Sequence, residues 1–123
     1  MKRILVVDDS LSMREFLALL LLSKFKDIGI EVTMASDGWT AFDAISKSEC
    51  KFDLVLTDNN MPGMFGSELV VAAHDSGCTT PFIMVTGDEK DQIPPVARRL
   101  LKEVVSKPFD IDSFCVLIRK TLQ

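Results

Sequence analysis

Five side chains in this sequence have types and positions that would suit phosphoryl or metal chemistry. They are Asp8, Asp9, Asp58, Thr86 and Lys107, and each stands just beyond a short apolar run that is typical of a buried strand. In open α/β folds the carboxyl ends of parallel strands meet at one edge of the sheet, where ligands bind. We therefore expect these five side chains to lie together.

The charges of these groups indicate which ligand they need. Three carboxylates at close range repel each other, and without a partner at least one would be pushed toward its neutral form. A hard divalent cation removes this problem, and Mg²⁺ commonly uses one or two carboxylates plus a phosphate. The ammonium of Lys107 and the hydroxyl of Thr86 could then stabilise the charge of a phosphoryl group on Asp58. A carboxylate is an established phosphoryl acceptor, so we predict Asp58 as the acceptor and Mg²⁺ as the cofactor.

Each residue taken alone has a simpler interpretation. Asp58 could be a turn residue, Asp8-Asp9 could cap a helix, and Lys107-Pro108 is a common turn pair. The agreement among four predicted strand ends favours the chemical interpretation over these separate structural ones.

Five predicted strands and five predicted helices would position these groups. Short apolar or alternating runs predict the strands, and capping residues, proline positions and helical spacing predict the helices. The predicted strands are 4–7, 30–35, 54–57, 81–85 and 104–105; the predicted helices begin at Asp9 or Ser10, after Gly38, at Gly66, near Pro94 or Pro95, and at Asp110 or Asp112. This alternation predicts an α/β fold, a doubly wound parallel sheet with helices on both faces.

Composition limits the class of protein. The 123 residues are 47% apolar with a net charge of −4, which favours one domain, 1–123, and argues against nucleic acid as a main partner. The three cysteines, Cys50, Cys78 and Cys115, are far apart, and their spacing suggests reduced thiols in a cytosolic protein. The apolar runs are too short for a signal peptide or a membrane span, so we expect a cytoplasmic location and no membrane partner.

Helix 1 carries more leucine than one packed face needs. Leu19, Leu21 and Leu22 widen its apolar stripe, which favours a deeply packed helix over the alternative of a partly exposed docking surface. The only tryptophan, Trp39, is predicted to serve packing rather than function, and the only histidine, His74, is predicted to lie on the surface.

The chain resembles the receiver domains of response regulators over essentially its whole length. The residues that carry the resemblance are the run from Ile4 to Ser10 with Met13-Arg14, the run from Asp53 to Asp58 with Met61-Pro62-Gly63, Pro81 through Thr86-Gly87, and Lys107-Pro108-Phe109. Within that family the chain is most like the single-domain chemotaxis regulators. The resemblance implies a flavodoxin-like sheet of order 2-1-3-4-5 and a cis bond between Lys107 and Pro108.

The resemblance also implies roles for the site. Asp58 would be the phosphoacceptor, and Thr86 and Lys107 would hold the phosphoryl oxygens. Asp9 and Asp58 would bind Mg²⁺ directly, Asp8 would act through a water molecule, and the carbonyl of Asn60 would be a further ligand. The phosphoryl donor would be a sensor histidine kinase or a histidine phosphotransferase. The phosphorylated chain would change conformation, contact a downstream protein and dephosphorylate itself.

Two features depart from the family pattern. The family often has an aromatic residue three positions before the lysine, and that position is Val104 here. A valine has no ring to turn inward, so the resemblance does not carry aromatic coupling to the output face. Pro94-Pro95 and the run from Arg98 to Lys102 make the helix 4 surface unusual, so the output partner cannot be transferred from the family.

Other functions remain as alternatives. A Mg²⁺-dependent phosphatase acting through an aspartyl phosphate would commonly carry an aspartate two residues after the nucleophile, where this chain has Asn60. A flavodoxin-like nucleotide or flavin binder would need a glycine- and hydroxyl-rich loop where this chain has Asp8-Asp9. The chain could also be a receiver cut from a longer multidomain regulator.

Overall fold

The computed structural model describes residues 1–88 and 92–123. Five parallel strands form one sheet in the order β2-β1-β3-β4-β5, which confirms the predicted doubly wound sheet and its strand order. The strands are β1 (Lys2–Val7), β2 (Ile30–Ala35), β3 (Leu54–Thr57), β4 (Phe82–Thr86) and β5 (Glu103–Ser106). The helices are α1 (Leu11–Lys24), α2 (Gly38–Lys47), α3 (Gly66–Asp75), α4 (Pro95–Leu100) and α5 (Ile111–Leu122).

The central strands are apolar on both faces because helices cover both faces. Consecutive residues of β1 point to opposite faces of the sheet. Leu5 and Ile4 are both fully buried, but each belongs to a different cluster. The Leu5 cluster includes residues of α2, α3 and α4, and the Ile4 cluster includes residues of α1 and α5. Full burial of such a side chain contributes about 1.5–3 kcal/mol to the free energy of unfolding. The central strands are therefore a stable support for the residues at their ends.

Local side chains fix where the helices begin. Ser10 caps α1 and Asp110 caps α5, and the side chain of each accepts a hydrogen bond from a backbone N–H three residues later. These observations decide between the two capping residues that the sequence offered for each helix. In α4, Pro94 lies at the cap and Pro95 is the first helical residue, as predicted. Among the described residues, no helix combines the length and apolar character needed to cross a membrane.

The prediction that α1 is deeply packed is wrong for part of its leucine stripe. Leu21 is fully buried, but Leu19 is 68% exposed and Leu22 is 45% exposed. The reason is geometric, since the apolar residues of α1 cover a wider arc than the single face that contacts the sheet.

Other single-residue predictions had mixed outcomes. His74 is exposed, as predicted. Trp39, predicted to serve packing, is 63% exposed, and its ring packs beside Gly63, where an added Cβ would lie 3.1 Å from the ring.

The cysteine prediction is also wrong. Cys50 and Cys78 form a disulfide with their Cα atoms 5.6 Å apart, and Cys115 is the free cysteine of the described chain. Separation along the sequence concealed this pairing, because the two cysteines precede the neighbouring strands β3 and β4. The spacing of the cysteines is therefore not evidence for a reducing compartment.

Candidate functional site

Two aspartates follow β1 and differ in exposure. Asp8 is 2% exposed, its Oδ1 accepts a hydrogen bond from the N–H of Ser10 at 2.9 Å, and its carbonyl accepts one from Arg14 at 2.7 Å. Asp9 is exposed to solvent. The chain therefore holds Asp8 rigidly at the sheet edge and leaves the Asp9 carboxylate open to a ligand.

Asp58 and Lys107 complete a charged cluster at the same edge. The Nζ atom of Lys107 lies 3.1 Å from Oδ2 of Asp8 and 3.4 Å from Oδ2 of Asp58. One carboxylate oxygen from each of Asp8, Asp9 and Asp58 lies within 4.8 Å of the others. Such a set of hard oxygen donors fits Mg²⁺, and Lys107 offsets part of its charge. The Lys107–Pro108 bond is cis, as the resemblance implied.

The strand register explains why these residues meet. Val7 pairs with Thr57 across β1 and β3, and Thr86 pairs with Ser106 across β4 and β5. The residue after each strand therefore emerges at one edge. The N–H of Asp58 donates to the carbonyl of Val7 at 2.9 Å, which extends the ladder by one residue.

The environment of Asp58 disfavours a negative charge. Burial raises the pKa of its carboxyl above the usual range, the ammonium of Lys107 opposes that shift, and the nearby carboxylate of Asp8 adds to it. The N–H of Asn59 donates to Oδ1 of Asp58 at 2.7 Å and favours the ionised form. Positive charge at this site would therefore stabilise an ionised Asp58.

Asn59 is a site residue that sequence analysis missed. It is 8% exposed, its Nδ2 donates to Asp88 at 3.0 Å, and its Oδ1 accepts from the N–H of Ser67 at 3.0 Å. The N–H of Asp88 in turn donates to the hydroxyl oxygen of Thr86 at 3.1 Å. Asn59 thus joins the residue after Asp58 to the segment after β4. The only signal in the sequence was a polar residue directly after Asp58.

Gly66 allows the loop after Asp58 to fold back onto itself. Its N–H donates to the carbonyl of Asn59 at 2.8 Å. A Cβ atom at position 66 would collide with the backbone carbonyl of Asp58, so only glycine fits this approach.

The remaining predicted site residues lie at the same edge in different settings. Thr86 is 1% exposed at the end of β4, and its carbonyl accepts from the N–H of Lys107 at 2.9 Å. Asn60 is exposed two residues after Asp58. The role of its carbonyl as a metal ligand stays a prediction.

Comparison with known proteins decides the family. Residues 4–119 match the response regulator receiver domain. The chain belongs to this family. A receiver domain is a signalling module of two-component systems.

The similar receivers include chemotaxis proteins. The chain is 39% identical over 111 residues to the chemotaxis protein CheY of Pseudomonas aeruginosa, covering 87% of this chain and 85% of that protein. It is 37% identical over 111 residues to CheY-3 of Vibrio cholerae, covering 87% and 81%. Among solved structures, the response regulator TrrA of Thermotoga maritima, in complex with Mg²⁺-BeF, has a TM-score of 0.85 and 30% identity, covering 99% of this chain and 100% of TrrA.

Proposed function

We propose that this receiver accepts a phosphoryl group on Asp58 from a phosphohistidine of a sensor kinase or a histidine phosphotransferase. The observation that carries the proposal is the convergence of three carboxylates and Lys107 around Asp58. The Mg²⁺-BeF complex of TrrA supports the same chemistry by similarity. The test is to incubate the chain with a small phosphodonor and Mg²⁺ and to compare it with Asp58→Asn by mass spectrometry.

The residues of the chain have separate parts in this reaction. A carboxylate oxygen of Asp58 attacks phosphorus, and the bond from phosphorus to the donor's histidine nitrogen breaks. Lys107 and Thr86 stabilise the phosphoryl oxygens. Asp9, Asp58 and the carbonyl of Asn60 would hold Mg²⁺ directly, Asp8 would hold it through a water molecule, and the bound ion would supply further positive charge.

Signal output follows from a shift between two conformations of the domain. The hydroxyl oxygen of Thr86 accepts from the N–H of Asp88 in this structure. A Thr86 side chain that rotates to donate its hydroxyl to a phosphoryl oxygen would lose this bond, and Asp88 would then be held through its side chain by Asn59. The phosphorylated surface then contacts a downstream protein, and water attack on the acyl phosphate ends the signal. We place this cycle in the cytoplasm, where the donor proteins present their phosphohistidine.

We expect the conformational response to concentrate after β4. The predicted segment, Gly87 to Ile93, includes residues 89–91, which lie outside the described residues. Because Val104 has no ring to turn inward, we expect the response to appear in this segment and at the start of α4. Amide hydrogen exchange, measured with and without beryllofluoride and Mg²⁺, should change there. Lys107→Ala keeps the carboxylates and should still bind Mg²⁺, but it should lose this response. Equal changes across α1 and α5, with none after β4, would contradict the prediction.

The phosphoryl donor is expected to dock on α1. Phe16, Leu19 and Leu22 are exposed on one stripe of the helix, and the ring of Phe16 lies 6.4 Å from the ring of Phe109. Phe109 belongs to the loop that also carries Lys107. This apolar patch therefore extends from α1 to the candidate site.

Substitutions in this patch should slow phosphoryl transfer from a protein donor but not from a small phosphodonor. Leu19→Glu or Leu22→Glu would place a charge in the apolar contact and should slow transfer from the partner about 30-fold or more, because a lost hot spot costs at least about 2 kcal/mol. Phosphorylation by a small donor should be unchanged. Val96→Glu is the matched control, since Val96 is 53% exposed on α4, away from the patch. Equal slowing by all three variants would remove the role of α1.

A further inference from the structure

The disulfide lies at the edge of the sheet opposite the acidic site. Cys50 and Cys78 each precede a strand by four residues, since β3 begins at Leu54 and β4 at Phe82. These two strands are neighbours, and they carry Asp58 and Thr86 just beyond or at their other ends. The bridge therefore joins the two connections that lead into the central strands of the site.

A cleft gives access to this bridge. Its volume is about 320 Å³, and both cysteines line it together with Glu49, Ser76 and Gly77. Cys50 is half-buried, whereas Cys78 is 7% exposed and belongs to the apolar core. An external thiolate would therefore reach Cys50 before Cys78.

The backbone beside the bridge is held in an uncommon conformation. Glu49 and Cys50 have φ angles of 56° and 59°, in the left-handed region that residues with side chains rarely adopt. Such segments persist where the surrounding structure over-determines them. The bridge is one of these constraints, along with the hydrogen bond from the N–H of Cys50 to the carbonyl of Ile45 at 2.9 Å.

In the reduced state the Cys50 thiol would have a hydrogen-bond acceptor nearby. The hydroxyl of Thr80 donates to the carbonyl of Phe52 at 2.9 Å, and its oxygen lies 3.3 Å from the Sγ atom of Cys50. After reduction, the Cys50 thiol could donate to that oxygen. Both oxidation states would therefore be compatible with the same surroundings.

We propose that Cys50–Cys78 is a reversible thiol–disulfide exchange site that reacts with an external dithiol. The inference rests on the proposed function in one respect, the cytoplasmic location. Disulfides of cytosolic proteins are usually transient or redox-sensing, because cytosolic reductants act on them. Reduction would free the starts of β3 and β4 while leaving the carboxylates of the acidic site in place.

The exchange proceeds in two balanced steps. A thiolate of the dithiol attacks Sγ of Cys50, the bond to Cys78 breaks, and Cys78 leaves as a thiolate that takes up a proton. The second thiol of the external dithiol, as its thiolate, then attacks the mixed disulfide and closes its own disulfide. Cys50 is released as a thiolate and is protonated. Two electrons pass from the dithiol to this chain, and the oxidised dithiol can reverse both steps.

The experiment uses the full chain with Cys115→Ser, so that every tagged thiol reports on the bridge. The folded protein is treated with dithiothreitol at several concentrations, quenched with excess maleimide in denaturant so that the buried Cys78 is tagged as well, and weighed by mass spectrometry. We expect the count to rise from no tags to two, at a rate proportional to dithiothreitol, with the far-ultraviolet circular dichroism retained. The melting temperature should fall by roughly 10 °C or more, because reduction removes a cross-link that closes a long loop. Oxidised dithiothreitol should restore the starting state.

The control is Cys50→Ser in the same background. It should carry one tag at every dithiothreitol concentration and should melt with the reduced protein. Opening at a rate independent of dithiothreitol, matching global unfolding, would overturn the proposal, as would failure of the two thiols to pair in an oxidising buffer. Phosphorylation of Asp58 is measured on the oxidised protein and on Cys50→Ser. Loss of phosphorylation in both would contradict the proposed function and leave the exchange result intact.

Discussion

One phosphoryl group per chain is expected on Asp58 when the protein is incubated with a small phosphodonor and Mg²⁺. Oδ2 of Asp58 lies 3.4 Å from Nζ of Lys107, and the carboxylate shares the sheet edge with Asp8 and Asp9, so it has the surroundings that an acyl phosphate needs. Intact-mass measurement should show a single addition that survives mild acid and is lost in base. Asp58→Asn should remove it completely.

A surface aspartate provides the matched control for this experiment. Asp43 lies on α2 and forms an exposed ion pair with Lys47 at 2.9 Å, outside the charged cluster. Asp43→Asn makes the same chemical change and should be phosphorylated like the unmodified chain. A label that persists in Asp58→Asn, or that is lost equally in Asp43→Asn, would refute the assignment of Asp58.

Magnesium is expected to stabilise the folded chain through the same cluster. At a concentration tenfold above its dissociation constant it should add about 1.4 kcal/mol to the free energy of unfolding. For a domain of this size the melting temperature should rise by roughly 3–6 °C. The comparison is between magnesium and chelator at matched ionic strength.

Asp9→Asn should change both the melting temperature of the metal-free protein and the rise that magnesium causes. Ser10, not Asp9, caps α1, so the substitution leaves the cap intact and removes one repelling charge. The metal-free protein should therefore melt above the unmodified chain, and the magnesium-induced rise should largely vanish, because a direct ligand is lost. Asp43→Asn removes an equal charge from an exposed pair worth less than about 1 kcal/mol and should keep the magnesium response. A response that survives in Asp9→Asn would show that Asp9 is not a direct ligand.

The sheet and the convergence of charges could be predicted because they depend on short-range patterns. Apolar runs ending in Asp8, Asp58 and Thr86 identify both the strands and the edge at which they end. In a parallel sheet, strand direction alone then places these residues together. Ser10 could be named as a capping candidate for the same reason, since a cap acts over three residues.

The features that sequence analysis missed depend on longer-range contacts. The bridge between Cys50 and Cys78 requires knowing that β3 and β4 are neighbours, and the shared offset of four residues was the signal that topology would have supplied. The bond from Asn59 to Asp88 joins two loops, whose paths no periodic pattern specifies. The exposure of Leu19 was missed because hydrophobicity predicts a helix face but does not say how much of that face its neighbours cover.

Gly66 has a consequence for recognising inactive receivers. The position carries no reactive group, yet a side chain there would press on the backbone of Asp58 and displace the loop that follows it. A homologous chain could thus retain every acidic, hydroxyl and lysine residue of the site and still lose the arrangement that makes them useful. Searches that score only the reactive side chains would count such a chain as a working phosphoacceptor, so an inventory of degenerate receivers should include this glycine among its criteria.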